Sequence, residues 1–282
     1  MTEPTEKPPK APLAGISFDA TSVTTPKDAA TVIVVRPGSP SSGELEIFGV
    51  VRNPKSGFLG GALVFPGGKL DPADCLVELG HGPANRWALL DAGHELATCA
   101  VRETLEEAGL LHTDADAARV RDARQRLLAG ATFVDAVMPL APTARGLVPF
   151  ARWITPRAES RRFDTRFFLF VAEGHTEADH DGHETVAGFW VTPRRAIEKF
   201  HAGEVMLAPP TLRVFELLTS CATTDAAVEL ANAQSLAPIC PEFVPGDPPM
   251  LVLPGDPLHS ERDVRCGLGT RFVLRDGRFQ SE

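Results

Sequence analysis

The chain has 282 residues, 43% of them hydrophobic, which allows one enlarged domain, or one domain with appendages, around a sizeable core. A net charge of −9 argues against nonspecific nucleic-acid binding, which needs a basic footprint. It leaves a nucleotide substrate open, because a bound cation and a few local arginines reverse the field inside a cleft.

Residues 1–27 are rich in Pro, Thr and Lys and read as a flexible tail with no apolar signal-peptide core. Residues 30–35 and 45–51 are rich in β-branched side chains and predict two strands joined as a hairpin by a Pro/Gly/Ser turn. Another strand ends at residues 63–65, where Pro66-Gly67-Gly68 makes a corner whose glycines allow positive φ and close backbone approach. Residues 74–93 carry Leu76, Leu79, Trp87, Leu89 and Leu90, read as partly helical, and are expected to cover the core.

Residues 95–108 predict a helix with Leu96, Cys99, Ala100 and Leu105 inward, ending at Gly109, a natural C′ residue. A second helical stretch covers residues 116–128. Strands follow at 153–154, 167–172 and 186–191. Thr192 as N-cap and Pro193 at N1 then open a helix to about residue 200. Residues 211–221 and 225–233 suggest two more helices. The Pro-rich remainder holds strand-like pieces at 250–253 and 271–274, with Asp276-Gly277 placed to turn the last strand back. This order predicts an α/β fold, a mixed sheet flanked by helices. No segment approaches eighteen consecutive apolar residues, so no membrane span is expected. Cys75, Cys99, Cys221, Cys240 and Cys266 are scattered without a CxxC pair, which suits reduced thiols in a cytosolic protein.

The chemistry concentrates in Arg102-Glu103-Thr104-Leu105-Glu106-Glu107-Ala108-Gly109-Leu110, which sets three carboxylates at i, i+3 and i+4 on one helix face. Like charges so spaced cost a helix about a few tenths of a kcal/mol per pair. A divalent cation is the natural counter, since glutamate oxygens are hard ligands suited to Mg²⁺ or Mn²⁺, which in turn bind phosphates. A solvated acidic face is the alternative for this segment alone. The glycine corner upstream favours the metal reading.

A glycine corner feeding an acidic helix that ends in glycine resembles the Nudix box, G-x5-E-x7-R-E-U-x-E-E-x-G-U, with U a bulky apolar residue. Residues 102–110 fit its second half, with Thr104 at a usually apolar position. The first half runs from Gly68 to Asp74, an aspartate replacing the glutamate, and an insertion at about 75–94 separates the halves. Three further segments resemble the branch that includes the peroxisomal coenzyme A diphosphatases: Arg52-Asn53-Pro54-Lys55-Ser56-Gly57-Phe58, Phe150-Ala151-Arg152-Trp153-Ile154-Thr155-Pro156, and Arg161-Arg162-Phe163-Asp164-Thr165-Arg166-Phe167-Phe168.

The resemblance covers roughly residues 28–215. It implies the Nudix α/β/α sandwich, with a helical and Pro-rich extension at 216–282 packed on it. It also implies Glu106 and Glu107 as ligands of Mg²⁺ or Mn²⁺, Glu103 as ligand or general base, and Arg102 paired with a glutamate to fix its orientation. Gly67 would turn its carbonyl to the metal, and Gly68 would bring its backbone close to the site. Glu184 is the candidate for a further ligand from a later loop; an independent metal-binding loop or a polar hairpin at 179–184 are the alternatives. Arg52, Arg161, Arg162 and Arg166 are candidates for bidentate phosphate contacts, against an exposed basic turn.

The absence of tyrosine sets the chain apart from family members acting on diadenosine polyphosphates, which often carry one beyond the box. Arg124-Gln125-Arg126 stands where ADP-ribose enzymes often have a proline. The resemblance therefore implies hydrolysis of a nucleoside diphosphate linked to another group. Coenzyme A or acyl-CoA comes first, giving 3′,5′-ADP and 4′-phosphopantetheine. ADP-ribose, NADH or a nucleotide sugar comes second. A non-catalytic nucleotide-binding regulator comes third, kept open by Asp74 and Thr104. The expected partner is a small nucleotide, without nucleic acid or membrane, in a cytoplasmic setting; a homodimer is left open.

Overall fold

The computed structural model describes residues 24–38, 43–53, 61–80, 84–172 and 185–282. The first strand, β1 (Lys27–Arg36), is apolar on both sides: Val32 and Val34 enter one core cluster while Ile33 and Val35 enter the other. Such two-sided burial is what a central strand between two layers requires. β1 is followed by β2 (Glu46–Arg52), β3 (Leu63–Val64) and β4 (Gly67–Lys69). The helices α1 (Ala84–Leu89), α2 (His94–Ala108), α3 (Ala117–Leu128) and α4 (Phe133–Ala136) come next, then the strands β5 (Val148–Ile154), β6 (Phe163–Val171) and β7 (Thr185–Val191).

These strands make one seven-stranded mixed sheet in the order β3-β2-β1-β6-β5, with β4 also pairing β1 and β7 also pairing β2. β1 and β6 run parallel from Lys27 opposite Phe163 to Val35 opposite Val171; the other pairings are antiparallel. The predicted hairpin is present as β1 and β2, with Val35 opposite Ile47.

The α2 side of the sheet carries the insertion, where Trp87 stacks on Phe168 at 4.8 Å between ring centroids. The opposite side carries α5 (Pro193–Ala202), α6 (Pro209–Leu218) and α7 (Thr224–Ala233). It also carries a second, antiparallel sheet in the order β11-β10-β9-β8, built from β8 (Glu242–Val244), β9 (Met250–Val252), β10 (Arg271–Arg275) and β11 (Arg278–Ser281). Leu251, Phe272 and Phe279 of this sheet belong to the same buried cluster as Ile33 and Phe167 of the main sheet. No helix of the described residues is long and apolar enough to cross a membrane.

The structure departs from the sequence reading in several places, the short helix α4 between the expected helix at 116–128 and the strand at 153–154 among them. Leu79, Trp87 and Leu90 of the insertion are buried as expected, but Leu76 is 80% exposed and Leu89 66% exposed, on the side away from the core. The Pro-Gly-Gly corner is itself a short strand, β4, and Gly68 lies directly opposite Ala30. β5 begins at Val148, earlier than read, because Pro149 sits beside a register shift that lets a strand accept a proline. β6 begins at Phe163, where its polar residues mask the strand pattern. β8 was not anticipated between Pro241 and Pro245. Residues 1–23 of the expected tail, residues 54–58 of the segment after Arg52, and residues 179–184, including Glu184, lie outside the described residues.

Candidate active site

The site is assembled from β4 and α2. Val32 N–H donates to Pro66 C=O and Leu70 N–H donates to Asp28 C=O, so alternate residues of this stretch face β1. Strand geometry then directs the polar groups of Gly67 and Lys69 the other way, toward α2. Gly67 N–H donates to Glu107 Oε2 at 2.9 Å, and Arg102 Nη2 donates to Lys69 C=O at 3.3 Å. Space requires glycine at position 67, and at position 68 a side chain would have to displace the Glu103 carboxylate. A Cβ on Gly67 would lie 2.5 Å from the Ala30 carbonyl oxygen, and one on Gly68 would lie 2.4 Å from Glu103 Oε1. At Gly67 close approach and a φ of 158°, which L side chains rarely adopt, both call for glycine.

Arg102 organises the carboxylates. Its Nε and Nη2 donate to the two oxygens of Asp74, each at 2.9 Å, and its Nη1 donates to Glu103 Oε1 at 2.8 Å and Glu106 Oε2 at 3.1 Å. Burial works against the guanidinium's charge, but Asp74 and Glu103 outweigh it, and its pKa is raised above the ordinary arginine value. The expected pairing of Arg102 with a glutamate is present; its bidentate partner, however, is the aspartate.

Asp74 is only 1% exposed. It also accepts from Asp71 N–H, while Asp71 caps the short 3-10 helix Pro72–Leu76 by accepting from Ala73 N–H. Asp71-Pro72-Ala73-Asp74 is thus a capping box with proline at the first helical position, a pattern local enough to be readable in the sequence. The insertion leaves the two halves of the motif in register because its ends are tied at Asp74 and at α2.

The helix is fixed at its far end as well. Gly109 takes the left-handed conformation with φ of 69°, and Arg124 donates from Nε and Nη2 to the Glu106 carbonyl near the helix C-terminus, where a cation is favoured. Thr104, at the usually apolar position, is buried with its hydroxyl donating to Ala100 C=O at 2.7 Å, so it brings no unsatisfied polar atom into the core. Burial first, then Glu103, raises the pKa of the Cys99 thiol, which remains a packed core group.

Glu103, Glu106 and Glu107 line one open cleft of about 680 Å³ together with Gly67, Gly68, Lys69, Arg52 and Arg161. Among the described residues no three His, Cys, Asp or Glu side chains close into a metal cage. The open arrangement nonetheless fits a hard divalent cation by its donor chemistry: three carboxylates on one wall, with room for water and phosphate. Mg²⁺ is commonly held by one or two carboxylates plus substrate phosphates.

The predicted arginines separate. Arg52 and Arg161 reach the cleft, Arg161 from an exposed position. Arg162 and Arg166 are not placed for phosphate. Arg162 is buried, donating to the carbonyls of Thr155 at 3.0 Å and Thr24 at 2.7 Å. Arg166 is 4% exposed and bonded to Asp28, to the carbonyl of Asp91 at 3.1 Å and to that of Asp164 at 2.9 Å. Arg152 joins this cluster through two bonds to the Asp164 carboxylate, at 3.0 and 2.7 Å, and an ion pair with Asp91 at 3.2 Å. Turning Arg162 or Arg166 toward a substrate would first require breaking its internal hydrogen bonds.

Comparison with known proteins adds a family to this geometry. The sequence profile described as the NUDT19 Nudix domain matches residues 88–218, a span that includes the carboxylate half of the motif. Proteins named acyl-coenzyme A diphosphatase NUDT19 are similar to the chain: that of Xenopus laevis is 26% identical, covering 85% of this chain and 80% of its own. That of Gallus gallus is 29% identical, covering 83% and 80%. Among solved structures, a NUDIX hydrolase from Alicyclobacillus acidocaldarius superposes with a TM-score of 0.64 at 30% identity, over 74% of this chain and 97% of that one.

Proposed function

The chain belongs to the Nudix hydrolase family, and from that premise we propose that it hydrolyses the diphosphate of coenzyme A and its acyl thioesters. Water forms a new bond to one phosphorus of the diphosphate, the bridging P–O bond breaks, and the departing phosphate oxygen keeps the electron pair. The products are 3′,5′-ADP and 4′-phosphopantetheine or its acyl derivative. The observation that carries this substrate class is similarity to proteins named acyl-coenzyme A diphosphatase over more than four fifths of the chain.

Glu106 and Glu107 would hold Mg²⁺ or Mn²⁺, with Glu103 and the Gly67 carbonyl beside them. When bound, the cation neutralises the diphosphate and lowers the pKa of a coordinated water. The chain's own groups set the stage: Arg102 aims Glu103 and Glu106, Gly67 N–H aims Glu107, and Asp74 holds Arg102. Arg161 and Arg52 at the cleft wall are suited to the nucleotide phosphates. The described cysteines are free, in keeping with a reducing cytoplasmic setting.

The test is a substrate panel with purified protein and Mg²⁺ or Mn²⁺: CoA, acetyl-CoA, a long-chain acyl-CoA, ADP-ribose, NADH and a nucleotide sugar, read by product chromatography. Preferential release of 3′,5′-ADP from the CoA compounds is expected. AMP mainly from ADP-ribose or NADH would discard the CoA assignment, and tight nucleotide binding without turnover would discard catalysis.

A further inference from the structure

A second cavity, of about 200 Å³, adjoins the carboxylate cleft, and Thr31, Arg52, Gly67, Phe163 and Thr165 line both. Its character differs from the cleft's. Trp153 and Phe167 of the main sheet form one wall, and Pro209 and Pro210 at the start of α6 form another. The far wall is Pro241, Leu251 and Phe279, all contributed by the C-terminal segment. Those three residues lie beyond the span that matches the family profile, which ends at residue 218. Leu251 and Phe279 are buried, so this wall is part of the folded core and not a loose cover.

The polar groups of the chamber are few and placed unevenly. Arg52 and Thr31 stand at the mouth shared with the cleft, and the Arg52 Nε is buried with no hydrogen-bond partner among the described residues. Within the chamber Glu159 is the one acid among the described lining residues. A ligand that fills such a space is a chain, largely apolar, with a few hydrogen-bonding groups, attached at one end to a phosphate lying in the cleft. The pantetheine arm of CoA has that constitution: a dimethyl-bearing head next to the phosphate, two amides, and a sulfur that carries the acyl group. A buried carboxyl can accept from an amide N–H, and a buried unpaired guanidinium N–H can donate to a carbonyl or phosphate oxygen.

We propose that this chamber receives the pantetheine arm and the first carbons of the acyl group, and that Leu251 and Phe279 of the C-terminal sheet set the length of acyl chain accepted. The proposal rests on the CoA reading above. It gives the C-terminal sheet a role in specificity in addition to bracing the fold. The chamber is smaller than the about 300–1,000 Å³ usual for drug-sized ligands, so it suits free CoA and short acyl groups, with longer chains stopped at the Leu251–Phe279 wall.

The experiment is kcat/KM for CoA, acetyl-, butanoyl-, octanoyl- and palmitoyl-CoA, with ADP-ribose as a substrate lacking the arm. Three proteins are compared: the full chain, Leu251→Ala, and Ala208→Leu, which fills the chamber from a partly exposed position before α6. For the unaltered chain kcat/KM is expected to rise by up to about fourfold per methylene buried and then to fall beyond short chains. Leu251→Ala should move the fall to longer chains. Ala208→Leu should lower kcat/KM for CoA and short acyl-CoA at least tenfold while leaving any ADP-ribose turnover unchanged, which guards against misfolding as the cause. CoA hydrolysis that ignores acyl length in all three proteins overturns the chamber assignment but leaves the diphosphatase reading intact. Absence of 3′,5′-ADP from every CoA compound overturns the reading beneath it as well.

Discussion

Two arginine–carboxylate clusters sit on this fold, and they use the same chemistry to different ends. In one, Arg102 bonds Asp74, Glu103 and Glu106 on the wall of an open cleft. In the other, Arg166 and Arg152 bond Asp28, Asp91 and Asp164, joining β1, the end of the insertion, β5 and β6, with Arg166 almost wholly enclosed. The first leaves carboxylates facing a space large enough for a ligand. The second commits its charges to the chain itself. A list of charged residues cannot separate the two; accessibility and the identity of each partner can.

The largest expected effect lies in the open cluster. Glu107→Gln should lower CoA turnover by at least about 10² with folding retained, measured by steady-state kinetics beside circular dichroism. Turnover at the unaltered level would show that the cleft is not the reaction centre. Next is Asp74→Ala, which strands a largely buried guanidinium. It should cost about 10–100-fold in kcat, as loss of a supporting partner does at metal sites, and should lower the urea midpoint. Unchanged kcat would mean that Arg102 is oriented adequately by the glutamates alone.

Much of this division was legible in the sequence, but unevenly. The carboxylate helix, its Gly109 terminus and the glycine corner follow from short-range rules of spacing and backbone space, and they appear where expected. Asp74 was visible only as a departure from the box. Its function depends on Arg102, 28 positions away across the insertion, although its capping pattern with Asp71 was local and readable. Arg161, Arg162 and Arg166 looked alike as a basic segment. Alternation along a strand and the long-range partners Thr24, Asp28 and Asp91 decide which of them is enclosed. The chamber could not be read at all, since its walls come from β5, β6, α6 and the C-terminal sheet.

Glu159 offers a sharper test of enclosure. Burial pushes its carboxyl from the ordinary value of 4.5 up to about 7, against the opposing charge of Arg162. Because the folded state holds this proton more tightly, its contribution to stability is full below about pH 4.5 and is lost as pH rises through 7, by at most about 3 kcal/mol. Glu159→Gln should flatten that slope in urea unfolding between pH 5 and pH 8. An unchanged slope would place the carboxyl in solvent. Smallest is Thr104→Val, which removes a hydroxyl bonded only within its helix and should change stability by less than about 1 kcal/mol. A loss of several kcal/mol in thermal unfolding would show a role for the hydroxyl beyond that bond.

The contrast between the clusters is tested most directly by measuring CoA turnover per folded molecule in Arg102→Lys and Arg166→Lys side by side. A lysine cannot reproduce either forked set of bonds. The expected result is a loss of about one to two orders of magnitude at position 102, with Arg166→Lys turning over CoA near the unaltered rate from a less stable fold. Equal losses at both positions, or a loss confined to position 166, would contradict the assignment of chemistry to the open cluster.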